Sequence, residues 1–277
     1  YAKGLLEDNS GSIPFICFEE GPIGRLRNLE QPAPYLIGGK VELNKYSTTM
    51  AYQVVVQKLT GVGPEDDLSI LLPSSSVDLR ACEELFHTFV GRVQDEGLRK
   101  LLQTVFSGRT YQLFLRNPAG MRLHHAYVGG MLHHTVSVTK LAVAMGSAVG
   151  GVDQDLLIAG ALLHDIGKLW EISGDLGFPY TTEGRFLGHI AIGAMLVDRT
   201  ARHIPELTIP KRQQLLHILL SHHGEHEKGS PVVCTTKEAF LVHYADEVDS
   251  IMNQFQEKQT KNHWEYDKML QRFLYNA

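Results

Sequence analysis

The sequence predicts a mainly α-helical protein with a small β region at its N-terminus. Short runs rich in β-branched and aromatic residues, separated by Gly and Pro, occupy residues 1 to about 62. A stretch rich in Gly, Pro and Ser follows at 63–77. From residue 78 to the end, apolar residues recur mostly at helical spacing. We therefore expect a β domain at 1–62, a linker at 63–77 and a helical domain at 78–277.

The N-terminal region contains the strongest β signals of the chain. Strands are expected near 13–18, 35–43 and 52–59, and the last of these alternates and is rich in valine. Several short strands joined by Gly and Pro turns favour a small barrel. The alternative is a β appendage with no specialised role.

The helical region begins at Asp78, which precedes an amphipathic run and is the expected N-cap of its helix. A loop is expected around Asn117 and Pro118. Apolar periodicity predicts helices near 78–86, 96–106, 126–149, 153–168, 186–204, 211–222, 236–258 and 264–275.

The composition is that of an ordinary globular protein, with 43% hydrophobic and 21% charged residues among 277. No apolar run reaches the ~18 residues of a membrane span, so no membrane association is expected. The three cysteines are far apart and odd in number, which fits free thiols in a reducing cytoplasm. A net charge of −5 argues against coating duplex nucleic acid by charge alone. The 14 histidines arrive in clusters.

The most informative stretch is the apolar run that begins at Asp155 and ends in His164-Asp165. Two adjacent ionisable groups at the end of a buried helix need partners, because burying an unpaired charge is costly. Either they form a hydrogen-bonded pair, or both bind a divalent metal, for which imidazole and carboxylate are ordinary ligands. Lys168 lies four residues after His164, so a continuous helix would place its charge on the same face.

Other predicted helices also bring His or Asp to an apolar face. His134 shares a helical stripe with Val138 and Leu141, although a core histidine alone would give the same pattern. Helical bundles build metal sites from such inward-facing side chains on neighbouring helices. The candidate ligands are His134, His164, Asp165, His189, His222, His223 and Asp246.

The order His134, His164-Asp165 and Asp246 resembles the signature of the HD-domain metal-dependent phosphohydrolases. The segments at 129–135, 163–168, 188–190 and 222–231 are most similar to a narrower group, the YhaM-type 3′→5′ exoribonucleases, which join an OB-fold to an HD domain. Residues 1–62 resemble that OB-fold from its second strand onward. We therefore expect its first strand to be absent from this sequence.

The candidate ligands outnumber the needs of one ion, so we expect two divalent metal ions bridged by Asp165, with Mn, Fe, Co, Ni and Zn all compatible with N/O ligands. The resemblance implies that Asp165 and Lys168 are catalytic, with Lys168 facing the phosphate. His125 can reach the site only if the helix that carries His134 begins late, near Gly129. The alternative is that the loop before this helix merely closes a helix pair. The candidate substrate-binding residues are Arg122, His125, Gly184, Ser230 and Asp249.

The resemblance implies a 3′→5′ exoribonuclease that releases nucleoside 5′-monophosphates from single-stranded RNA. The β region lacks a clear alternation of basic and aromatic residues, which single-strand binding generally uses, so an RNA partner rests on weaker signals than the metal site. Two alternatives are a phosphohydrolase of nucleotides or cyclic nucleotides and a non-catalytic module that binds nucleic acid or protein. A DNA substrate and a homo-oligomer also stay open.

Overall fold

The computed structural model of the chain describes residues 1–8, 11–29, 33–45, 50–63, 71–73, 75–120, 125–257, 263–267 and 270–275. The fold is mainly α-helical with a small N-terminal sheet, which confirms the predicted class. The chain divides into two compact units. One comprises Tyr1–Ser76 with Gly174–Pro179, and the other comprises Val77–Ser173 with Tyr180–Ala277.

The first unit contains a four-stranded sheet with the order β1-β2-β4-β3. Its strands are β1 (Ala2–Asp8), β2 (Gly11–Cys17), β3 (Tyr35–Leu43) and β4 (Tyr52–Gly61). The β1–β2 and β3–β4 pairs are antiparallel, whereas β2 and β4 are parallel. Hence the two outer pairs are hairpin-like, and the parallel pair joins them.

A short helix that is not among the predicted elements, α1 (Glu20–Arg27), connects β2 to β3. Gly21 and Pro22 near its start hide the helical pattern, since both residues usually mark turns. Ile23 and Leu26 nevertheless pack against the small core of the sheet. This tertiary contact stabilises a helix that local propensity does not favour.

The second unit consists of helices that end in a β-hairpin. Asp78 caps the first helix by accepting hydrogen bonds from the backbone N–H groups of Arg80 and Ala81, as predicted. The helices are α2 (Leu79–Arg92), α3 (Glu96–Val105), α4 (Gly108–Arg116), α5 (Gly130–Val149), α6 (Gln154–Leu163), α7 (Lys168–Glu171), α8 (Thr182–Ala201), α9 (Ile209–Ser221) and α10 (Lys237–Glu257). Helix α4 is not among the predicted ones.

Helix α6 is the centre of this unit. Every residue from Leu156 to Leu163 is buried, and α6 contacts α5, α9 and α10. A helix that is apolar on all sides is stable only when neighbours cover each side. The sequence therefore buries the C-terminal end of α6, and the polar residues that follow it, inside the helical unit.

The prediction of a helix at 264–275 is wrong. The chain instead forms a hairpin of β5 (Trp264–Asp267) and β6 (Arg272–Tyr275). Trp264 pairs with Tyr275, and Tyr266 pairs with Phe273. These aromatic residues alternate along each strand and meet across the pair, which is the periodicity of β structure and outweighs the helical spacing.

Among the described residues, no helix combines the length and the apolar character needed to cross a membrane.

Candidate metal centre

The helix predicted at 153–168 is interrupted where the candidate site begins. Helix α6 ends at Leu163, the chain turns through 164–167, and the short α7 starts at Lys168. Lys168 therefore does not share a helical face with His164, contrary to the sequence-based argument. It nevertheless reaches the site, because its Nζ lies 2.6 Å from Oδ2 of Asp165.

Close backbone packing explains why this turn needs Gly167. A Cβ at this position would lie 2.0 Å from the carbonyl oxygen of His189 and 2.7 Å from the nitrogen of Gly193. Both atoms are backbone atoms of α8, so they cannot move aside as a flexible side chain would. Gly167 thus lets α8 approach the turn that carries Asp165.

We expect Gly167→Ala to destabilise the protein by about 1–3 kcal/mol, the usual range for overpacking a close contact. Urea unfolding of the metal-free protein measures this free energy directly. The matched control is Gly91→Ala in α2, where an added Cβ meets nothing within 4 Å. That change should stabilise the protein by up to about 1 kcal/mol, since alanine favours helix. Equal stabilities of the two variants would contradict the packing argument.

One side of Asp165 faces two histidines that belong to different helical segments. Oδ2 of Asp165 lies 3.2 Å from Nε2 of His134 and 3.4 Å from Nε2 of His164. Oδ1 of Asp246, on α10, lies 3.3 Å from Nε2 of His134. We call His134, His164 and Asp246, together with Oδ2 of Asp165, the first subsite.

The other oxygen of Asp165 faces a second group of histidines. Oδ1 lies 3.5 Å from Nε2 of His189 and 3.5 Å from Nε2 of His222. Nε2 of His223 lies 3.3 Å from Nε2 of His189. We call His189, His222 and His223, together with Oδ1 of Asp165, the second subsite. Asp165 thus stands between the two subsites, with one oxygen in each.

The five histidines all direct Nε2 into the site, because Nδ1 is engaged elsewhere. In a neutral ring that donates through Nδ1, Nε2 carries the lone pair that a metal needs. With this assignment, three Nδ1 groups donate to backbone carbonyls: His164 to Ala161 O, His222 to Leu219 O and His223 to Lys228 O. The other two donate to carboxylates: His134 to Asp249 Oδ2 and His189 to Glu171 Oε2.

The site keeps its carboxylates charged although they are buried. Burial alone would raise the pKa of Asp165, but the charge of Lys168 and the adjacent His164 hold this pKa well below its ordinary value. Burial would likewise raise the pKa of Asp246, and its contact with His134 lowers it instead. Burial alone would lower the pKa of Lys168, yet the charges of Asp165 and Asp246 raise it. The ammonium of Lys168 therefore stays protonated.

Two atoms at the centre of the site show that the residues suit metal ions. Oδ1 of Asp165 and Nε2 of His222 are buried and have no hydrogen-bond partner among the residues that the structure describes. A buried polar atom without a partner is costly, and a divalent cation would satisfy both atoms at once. The donors are nitrogen and oxygen atoms, of which His134, His164 and Asp165 form one convergent group and His189, His222 and His223 form another.

The predicted substrate-binding residues are placed differently from the predicted ligands. Helix α5 does begin late, at Gly130, as access of His125 to the site requires. However, both ring nitrogens of His125 are engaged, with Tyr127 Oη at 3.0 Å and Asp249 Oδ2 at 2.8 Å. A substrate contact of His125 therefore needs one of these bonds to break. Asp249 is turned toward the rings of His125 and His134.

Gly184 and Ser230 lie in packed surroundings. A Cβ on Gly184 would lie 2.4 Å from the carbonyl oxygen of Glu171, so this glycine allows α8 to approach α7 closely. Ser230 is 2% exposed, and its hydroxyl has no hydrogen-bond partner within the described part of the chain. Arg122 falls in 121–124, outside the described residues. Roles of these three residues in substrate binding stay predictions.

Glu171 is a site residue that the sequence-based candidates did not include. It accepts hydrogen bonds from the backbone N–H and the ring of His189, and these bonds lower its pKa although burial alone would raise it. The only sequence signal is an acidic residue in the mostly apolar run from Leu169 to Ile172. Such a residue is common on helix surfaces, so the pattern does not single it out.

Comparison with known proteins finds a family model that matches part of the helical unit. Residues 131–251 match the family model described as HD domain, and this range contains all seven predicted ligands. Among solved structures, the chain is similar to the HD domain of the phosphodiesterase PgpH from L. monocytogenes, with 20% identity and a TM-score of 0.35. That alignment covers 56% of this chain and 77% of the other. The HD-domain match therefore covers the part of the chain that contains both subsites.

Proposed function

We propose that this protein is a metal-dependent phosphohydrolase that holds two divalent ions. One observation carries the proposal: the two oxygens of the buried Asp165 point to two separate groups of ligand atoms. A single ion does not need both groups, whereas a bridging carboxylate serves two ions. The HD-domain match at residues 131–251 supports the same class.

When bound, a pair of such ions activates water and stabilises the attacking and leaving oxygens of an in-line displacement at phosphorus. The protein's own residues supply the surroundings. Asp165 and Asp246 hold negative charge in a buried site, and Lys168 holds a positive charge beside them. In such low-dielectric surroundings, an ammonium stabilises negative charge on a phosphoryl oxygen far more strongly than it does in water.

We further propose single-stranded RNA as the substrate, degraded from its 3′ end to nucleoside 5′-monophosphates. The resemblance to the YhaM-type exoribonucleases supports this choice. The N-terminal sheet supports it as well, because an antiparallel pair, a parallel junction, a connecting helix and a second antiparallel pair are compatible with the second to fifth strands of an OB-fold. In this proposal, residues 1–62 bind the strand, 63–77 link, and 78–277 catalyse.

Labelled oligonucleotides test the proposed substrate. RNA labelled at its 5′ end should shorten stepwise, while RNA labelled at its 3′ end should release its label at once as a mononucleotide. Both reactions should require a divalent ion and stop on chelation. Single-stranded DNA, nucleotides and cyclic nucleotides, each incubated with Mn²⁺, Fe²⁺, Co²⁺, Ni²⁺ and Zn²⁺, define the preference.

The same panel identifies the alternatives. If RNA stays intact while nucleotides or cyclic nucleotides are hydrolysed, the protein is a nucleotide phosphohydrolase and not an exoribonuclease. Full metal occupancy without turnover of any substrate would contradict an enzyme altogether. That result would favour a metal-stabilised binding module.

A further inference from the structure

The five site histidines differ in what holds their Nδ1 atoms. His164, His222 and His223 donate to neutral backbone carbonyls. His134 and His189 donate instead to carboxylates. One of these two histidines belongs to the first subsite and the other to the second, so each subsite has a single carboxylate-backed ring.

Glu171 uses both of its oxygens on His189. Oε1 accepts the backbone N–H of His189 at 3.0 Å, and Oε2 lies 2.9 Å from its Nδ1. The backbone of α8 is broken just before this residue, where Gly188 has φ 71° and ψ 155°. The amide of His189 thus begins a new helical segment, and Glu171 caps it as an N-terminal carboxylate would. One buried side chain therefore fixes both the backbone and the ring of this histidine.

Asp249 supports His134 in a different way. Its Oδ2 lies 2.8 Å from Nδ1 of His134 and 2.8 Å from Nε2 of His125. His125 is itself held by Tyr127 Oη at 3.0 Å and, through its backbone N–H, by Asn253 Oδ1 at 3.0 Å. His125 therefore holds the carboxylate of Asp249 in place, and this carboxylate orients the ring of His134.

We propose that Glu171 and Asp249 are positioning residues that set the metal affinity of the two subsites separately. Glu171 acts on the second subsite through His189, and Asp249 acts on the first through His134. A carboxylate partner fixes the tautomer and orientation of a ligand histidine and raises its basicity, and loss of such a partner weakens metal binding by about 10–100-fold. This inference rests on the two-ion site of the proposed function.

Isosteric amides test the proposal with little change of shape. In Glu171→Gln, the amide has only one acceptor oxygen. It can therefore accept a hydrogen bond from the backbone N–H or from the ring of His189, but not from both through separate oxygens. In Asp249→Asn, the negative charge between His134 and His125 is lost. The matched control is Glu183→Gln, an exposed carboxylate in the first turn of α8.

The measurement is the binding of Mn²⁺ at controlled free concentration, followed by electron paramagnetic resonance. Wild type and Glu183→Gln should bind two ions and show the spectrum of a coupled pair. Glu171→Gln and Asp249→Asn should each bind one ion as before and the other about 10–100-fold more weakly. At intermediate Mn²⁺ concentration, both variants should show the spectrum of an isolated ion.

Double variants identify the subsite on which each residue acts. Glu171→Gln should have no further effect in a His189→Ala background, because the ring through which it acts is gone. It should keep its effect in a His134→Ala background. Asp249→Asn should show the reverse pattern. Retention of both ions at wild-type affinity, or an undiminished effect of Glu171→Gln without His189, would overturn the proposal.

The affinity measurement contains no substrate, so it separates this inference from the proposed function. Two tightly bound ions without turnover would contradict the enzyme and leave the roles of Glu171 and Asp249 standing. Normal turnover together with unaltered metal affinities in both amide variants would support the enzyme and contradict the roles of Glu171 and Asp249.

Discussion

Asp165→Ala should remove both proposed metal ions and, with them, all measurable hydrolysis. Asp165 supplies one oxygen to each subsite, so its loss takes a ligand from both ions at once. Metal ions contribute several kcal/mol to such reactions, and about 4 kcal/mol corresponds to a loss of roughly 1,000-fold in rate. Metal content after dialysis and turnover of the proposed RNA substrate measure the two effects on the same sample.

A matched variant guards against a general effect of losing an acidic residue. Glu225→Ala removes an exposed carboxylate from the loop that follows His223 and should leave metal content and rate unchanged. Full activity of Asp165→Ala would disprove the proposed site. Loss of one ion with retention of the other would show that Asp165 serves a single subsite.

Lys168→Ala should retain both ions but lower kcat by about 100–1,000-fold, the usual effect of removing one group that stabilises transition-state charge. The ammonium of Lys168 stays charged in the site, because Asp165 and Asp246 raise its pKa. We expect KM to change less than kcat, since the charge on the phosphoryl oxygens grows in the transition state. Single-turnover kinetics and metal content together measure both parts of this expectation.

The structure gives Lys168 a competing role, because its Nζ lies only 2.6 Å from Oδ2 of Asp165. If Lys168 served solely to hold Asp165 in its charged form, Lys168→Ala would lose metal in proportion to rate. Lys140→Ala, which removes an exposed lysine from α5, is the control and should change neither quantity. The ratio of metal loss to rate loss therefore decides between the two roles of Lys168.

Much of the helical unit could be predicted because its helices carry strong local signals. The apolar run before His164 predicts a buried helix, and Asp78 predicts a helix start, and the structure contains both. Secondary structure is harder to predict for segments whose local signals conflict. Helix α1 contains Gly and Pro, and the C-terminal hairpin contains apolar spacings compatible with either period. In such segments, tertiary contacts outweigh local propensity and determine the secondary structure.

The sequence alone is enough to name the candidate ligands of the site. Apolar faces predict that seven His and Asp residues converge, and the structure brings the other six into two groups around Asp165. Their role as metal ligands stays a prediction. The supporting residues are different: Glu171 is not among the candidates, and Asp249 is a candidate for substrate binding and not for support of His134. Both reach their histidines through tertiary contacts, which the sequence does not show.

The apolar run before His164-Asp165 is enough to predict a buried helix at this place, because burial follows from the pattern of apolar residues. The end of this helix at Leu163 and the close approach of α8 at Gly167 depend instead on tertiary packing. The same packing places each oxygen of Asp165 opposite its own set of histidines. Burial depends on local composition, whereas the direction of a side chain depends on how neighbouring helices pack. For that reason, the sequence predicts the candidate ligands of this site, and the packing sets their division into two subsites.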